Sequence, residues 1–217
     1  MSNTPSPIET WVEDVARHLG GVRKKASEDL LWRAFVARDF TEMVGIIKKD
    51  LQLSMHLRVG YVRRGGGNHA VAWINLPTVM PFLGSAAFSA LTLDVFVRKE
   101  FLAEAPFKSV VYAFAHELAH VMLDATHHPL RRNEKVVDLT VMVLGYADVL
   151  FDGKTFTPLT SWRQRNALGD LFKDTGFLES SDGQHLENGA TLKSKLGYLS
   201  QDEAARALHK IVSIRPR

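Results

Sequence analysis

Between Val110 and Leu123 the sequence reads VVYAFAHELAHVML, apolar at nearly every position except His116, Glu117 and His120. Such a run makes a helix buried on most of its surface. A buried helix cannot leave two imidazoles and a carboxylate without partners, because an unpaired buried charge is expensive. The fold has to bring a metal ion or hydrogen-bonding groups to these three side chains. On a helix, His116 and His120 lie about 40° apart around the axis and about 6 Å apart along it, so both rings can reach one ion. Glu117 projects about 100° from His116, where it reaches a water on that ion instead of the ion itself.

The chain has no cysteine, so a transition-metal site has to be assembled from its nine histidines and its carboxylates. An open zinc site takes three protein ligands and leaves a fourth position for water or substrate. A third histidine six residues after His120, preceded by a glycine, would suit the metzincin pattern. Thr126 and Leu123 stand at those positions, and His127 and His128 remain only in reserve. The alternative is a glutamate on a following helix, and Asn133-Glu134-Lys135-Val136-Val137-Asp138 supplies it. Glu134 and Asp138 are four apart and share a helix face. With the two helices antiparallel, Glu134 falls near His120 and Asp138 falls beside His116. There Asp138 can accept the spare ring N–H and fix its tautomer.

HELAH and NEKVVD together resemble the H-E-x-x-H plus N-E-x-x-x-D signature of the thermolysin-like gluzincins. The order of strands, histidine helix and glutamate helix is similar to that of the compact minigluzincin peptidases. The resemblance covers roughly residues 90–150. It implies a zinc metallopeptidase, in the endopeptidase sense since no G-x-M-E-N motif is present, with His116, His120 and Glu134 as zinc ligands. It further implies Glu117 as general base and Asp138 as the acid that orients a ligand. A tyrosine or histidine that steadies the tetrahedral intermediate is also implied; Tyr112, Tyr146, His127 and His128 are the candidates.

Elsewhere, local signals predict the elements. Ser6-Pro7-Ile8-Glu9 opens a helix that ends at Gly20-Gly21, and a helical region from about Ser27 to Leu51 breaks at Asp39, where Asp-Phe-Thr-Glu repeats a capping signature. Alternation over Met55, Leu57, Val59 and Tyr61, and a second apolar run from Ala70 to Leu76, predict a hairpin around the glycine triplet at 65–67. A third strand is expected over residues 90–98, as the edge that would hold an extended substrate. After His120 the pattern predicts one helix from about Arg131 to Leu150. Beyond Phe151 turn signals dominate, until Ser200-Gln201-Asp202-Glu203 caps a last helix with a stripe of Ala204, Leu208, Ile211 and Val212. His18, His56, His69, His185 and His209 read as surface or locally satisfied residues.

These elements predict a single α+β, zincin-like domain: N-terminal helices over 1–52, a catalytic core over 53–150 with a small sheet of three or more strands, and a C-terminal helical and loop region over 151–217. The 27 basic against 24 acidic side chains leave a small excess, with no nucleic-acid motif behind it. No apolar run approaches the roughly 18 residues of a membrane span, and no basic n-region precedes an apolar one. A cytoplasmic location is therefore expected, with a peptide or protein as substrate. The expected chemistry is attack of a zinc-activated water on a peptide carbonyl with Glu117 taking the proton. The alternative is a catalytically idle zincin-like module that keeps its zinc for structure.

Overall fold

The computed structural model describes residues 7–23, 27–63, 71–153, 155–156, 194–195 and 197–214 of the 217-residue chain. The architecture is α+β, with a small mixed sheet among helices. α1 (Pro7–His18) buries Ile8, Val12, Val15 and Ala16 and stops before Gly20, whose φ of 78° suits glycine. The predicted break at Asp39 separates α2 (Glu28–Val36) from α3 (Phe40–Asp50). The Asp39 side chain accepts the Glu42 N–H at 2.9 Å. Losing such a cap costs about 1 kcal/mol. Asp39→Ala is accordingly expected to lower the denaturant midpoint by an amount worth about 1 kcal/mol at unchanged slope.

The sheet corrects two expectations. β1 (His56–Val62) and β2 (Ala72–Ile74) do not form a hairpin; β3 (Thr92–Arg98) lies between them, in the order β1-β3-β2. β1 runs parallel to β3, with Val59 opposite Val95, and β2 runs antiparallel, with Trp73 opposite Phe96. β3 is thus the central strand and not the substrate-holding edge. The reason lies in its two faces. Leu93, Val95 and Val97 are buried in the core, while on the other face Phe96 stacks on Trp73 with ring centroids 5.4 Å apart. Phe96 also covers Gly60, where an added Cβ would sit 2.6 Å from its ring. A strand with one face in the core and, on the other, an aromatic ring covered by both neighbours gains most in the middle of a sheet, whereas β1 turns His56 and Arg58 to solvent. The glycine triplet expected at the hairpin tip lies outside the described residues.

α4 (Ala86–Ser89) precedes β3, and α5 (Lys99–Glu104) leads from it into α6 (Phe107–Ala125), the helix carrying HELAH. Phe114, Leu118, Ala119, Val121, Met122 and Leu123 are fully enclosed, with α3, α7, α8 and β2 packed around them. Burying each of the larger of these side chains contributes roughly 1.5–3 kcal/mol, which seats α6 in the centre of the fold whatever the polar residues on it require.

The predicted helix over 131–150 starts later and is interrupted. α7 (Glu134–Val141) passes into a distorted turn, Met142–Tyr146, before α8 (Ala147–Gly153). Gly145 sits there at φ 99°, incompatible with a continuous helix. The Val143 carbonyl accepts the Arg23 N–H at 2.9 Å, and the Tyr146 hydroxyl donates to Asp50 Oδ2 at 3.0 Å. A two-stranded ribbon joins β4 (Thr155–Phe156) to β5 (Ser194–Lys195). The turns expected at Asp182-Gly183 and Asn188-Gly189 lie outside the described residues. α9 (Gln201–Ser213) begins with the predicted capping box, Ser200 and Glu203 bonding each other's backbone N–H. Its buried stripe is Ala204, Ala207 and Ile211, while Val212 is exposed. Buried apolar side chains from Ile8 to Ile211 form one contiguous core. No helix among the described residues is long and apolar enough to cross a membrane.

Candidate metal centre

The link between α6 and α7 is short and heavily bonded. His128 N–H returns to the Leu123 carbonyl at 2.9 Å, and Thr126 Oγ1 donates to the Met122 carbonyl at 2.8 Å. The His128 ring takes the Leu130 N–H at 3.1 Å, so its Nδ1 is the acceptor. Asp124, at the end of α6, is buried and paired with Arg131 at 3.0 Å and with Arg132 at 3.7 Å. The two arginines therefore brace the turn. Asn133 then caps α7, its side chain accepting the Lys135 N–H at 3.0 Å. These bonds leave α7 little freedom and place its first residue, Glu134, against the HELAH face of α6.

The ligand atoms of His116, His120 and Glu134 lie within 4.8 Å of one another. Glu134 Oε2 is 3.2 Å from His116 Nε2 and 3.4 Å from His120 Nε2. Asp138, one turn further along α7, meets the other nitrogen of the His116 ring, with Oδ1 3.0 Å from Nδ1. His116, His120, Glu134 and Asp138 thus lie together, with Glu134 reaching both histidines and not His120 alone, and Asp138 only the first. Two imidazoles and one carboxylate this close together could hold a metal ion.

Charge and burial set the protonation of the group. Burial by itself would lower the His116 pKa, but bonds to the Asp138 and Glu134 carboxylates outweigh it and the ring is pushed up to about 10. Burial would raise Glu134, yet its bonds to His116 and His120 hold it far below the usual carboxylate range. Burial likewise opposes ionisation of Asp138, and the His116 and Tyr112 bonds overcome it, so its carboxyl is lowered. Glu117 behaves differently. Burial raises its carboxyl above the ordinary value, and the histidines and the Ile74 N–H offset this only in part. Val71 C=O and Asn75 N–H bond to β3, so by the alternation of an antiparallel ladder the Ile74 N–H turns to the open edge of β2, towards Glu117. Among the described residues, the edge strand beside the site is therefore β2.

Of the four candidates for the steadying residue, the two tyrosines are committed to carboxylates and the two histidines pack against other rings. Tyr112 is buried behind the site and donates to Asp138 Oδ1, and Tyr146 is committed to Asp50. The His127 ring packs on Phe82, centroids 4.1 Å apart, and His128 is enclosed beside His18 and 3.3 Å from Asp14. The tyrosine at the site is one that sequence reasoning missed. Tyr198 lays its ring over His116, centroids 5.9 Å apart and planes 26° from parallel, and remains exposed on its other side. Burial, then the Glu134, Asp138 and Glu117 carboxylates, push its phenol up to about 12, so it stays a donor at neutral pH. The only local hint was the turn-forming Gly197 before it, in a region without periodicity.

Against protein-family models, curated proteins and solved structures, the chain gives no match. What the molecule does therefore has to be argued from the site itself.

Proposed function

We propose that the protein is a zinc-dependent peptidase with a zincin-like catalytic core. The observation that carries this reading is a division of labour between neighbouring acids. Glu134 belongs to the triad with His116 and His120, whereas Glu117, on the same helix as both histidines, has a raised carboxyl and faces a strand edge. A purely structural site needs the first acid and has no use for the second.

His116, His120 and Glu134 would hold the ion, and zinc so held supplies Lewis acidity that activates water and polarises a carbonyl. Glu117 then accepts the proton of the attacking water at its carboxylate and passes it to the leaving amine. Asp138 keeps the proton of His116 on Nδ1, leaving Nε2 as the ligand atom. Tyr198, whose ring lies over His116, would donate its phenolic hydrogen to the oxygen on which charge develops. The open edge of β2 offers an extended peptide main-chain bonds alongside Glu117.

Metal analysis of the purified full chain, paired with hydrolysis of an unfolded protein substrate before and after chelation, tests the proposal. One zinc per chain and chelator-sensitive cleavage are expected. Absence of zinc would overturn it, and stoichiometric zinc without cleavage would favour the idle module.

A proton effect accompanies the metal. A group raised in the folded state stabilises that state fully below its unfolded value, about 6.5 for histidine, and the contribution is lost as pH rises through the folded value, about 10 here. Zinc-stripped protein is expected to lose stability across that window. Zinc displaces the proton, so zinc-loaded protein is expected to lack this loss and zinc uptake to release about one proton. Thermal midpoints of both forms across the window, and calorimetry in buffers of different ionisation enthalpy, check these outcomes.

A further inference from the structure

Asp138 is fully buried and its carboxylate is saturated. Oδ1 accepts from the Tyr112 hydroxyl and His116 Nδ1; Oδ2 accepts from the backbone N–H of Tyr198 at 2.6 Å and of Leu199 at 3.1 Å. A carboxylate offers about four acceptor positions, so two of the four are filled by a segment that lies 60 residues downstream.

That segment approaches closely because it begins with glycine. Gly197 has φ 92°, and a Cβ there would lie 2.7 Å from the Tyr112 hydroxyl and 3.2 Å from Asp138 Oδ2. Any side chain would therefore strain the backbone and push the Tyr198 and Leu199 N–H groups off the carboxylate. Beyond it Leu199 is fully buried and Ser200 starts α9. Lys135 of α7 meets Glu203 of α9 at 2.7 Å, a second tie between the helix bearing Glu134 and the C-terminal helix.

We propose that Gly197-Tyr198-Leu199 is a clasp that positions the metal centre, so that docking of the C-terminal helix and retention of metal are one coupled equilibrium. The inference rests on the reading of His116, His120 and Glu134 as a metal triad. Its physical basis is that one carboxylate serves both partners. With both N–H donors on Oδ2, Oδ1 is held where it orients the His116 ring. With the clasp open, Asp138 is free to turn and the ring loses its fixed direction. Groups behind metal-binding histidines commonly govern affinity by about 10–100-fold, and the effect is reciprocal: metal must favour the docked clasp by the factor with which the clasp favours metal. Gly197 is a positioning residue in this scheme, acting through Asp138.

The test uses the full chain and zinc alone. Affinity is measured by competition with a chromogenic chelator for the wild type and Gly197→Ala, and amide exchange over residues 197–214 is followed in the wild type with and without zinc. We expect Gly197→Ala to bind zinc about 10–100-fold more weakly and zinc to slow exchange at Tyr198 and Leu199 in the wild type. A merely structural role for Gly197 would lower stability equally with and without zinc and leave affinity unchanged. Equal affinity in the two proteins, or wild-type exchange indifferent to zinc, overturns the clasp. If Gly197→Ala does not fold, the wild-type exchange result decides alone. A wild type that binds no zinc overturns the triad reading and the clasp with it, a different outcome from zinc binding that the clasp ignores.

Discussion

Glu117→Gln is expected to reduce peptide hydrolysis by about 10²–10⁴-fold, the usual worth of a positioned acid–base group, while zinc stays bound at wild-type affinity. The amide preserves shape and can still accept a hydrogen bond, but it cannot take up a proton from water. Glu117 stands apart from the three residues whose ligand atoms converge, so the substitution leaves the ion's holders intact. The base works only when ionised, so activity is lost as pH falls through its pKa; burial moves this acid limb to higher pH, and the charge of a bound ion moves it back. Turnover and zinc content measured on the same preparation decide the matter. Wild-type turnover in the variant would remove Glu117 from the mechanism, and loss of zinc together with activity would make it a ligand.

Glu134→Ala is expected to weaken zinc binding by about a hundredfold. Zinc sites with four protein ligands hold the ion with roughly 10–16 kcal/mol, so one ligand accounts for about 3 kcal/mol, or about two powers of ten. Glu134 is the anionic member of the triad and is held ionised by both histidines, so its loss removes charge as well as a donor atom. Direct competition with a chelator reads the effect. His120→Ala should behave alike, whereas a variant of either that binds zinc as tightly as the wild type would place the ion elsewhere.

Much of the site was readable because its spacing is local. The four-residue step from His116 to His120 fixes their common face once α6 is a helix, and the same step on α7 aligns Glu134 with Asp138. The caps at Asp39 and Ser200 were readable for the same reason, each bond spanning three residues. The strand order was not. Leu93, Val95 and Val97 announce a strand, but its central place depends on Phe96 finding Gly60 on one neighbour and Trp73 on the other. The break at Gly145 was hidden because an isolated glycine inside a helical pattern is tolerated at modest cost and does not by itself signal an interruption.

By itself, then, the sequence determined which short-range geometries could exist: a buried helix presenting two imidazoles and a glutamate, a following helix presenting two acids, and the caps that start them. Hydrogen bonds and side-chain pairs three or four residues apart are dictated by the helix itself, so spacing is enough. Tertiary structure alone decided that β2 and not β3 borders the site, that Tyr198 covers His116, and that two backbone N–H groups near Gly197 complete Asp138. Those pairings join segments tens of residues apart, driven by burial, which is non-directional. Only the packed whole specifies which strand edge, ring or amide arrives.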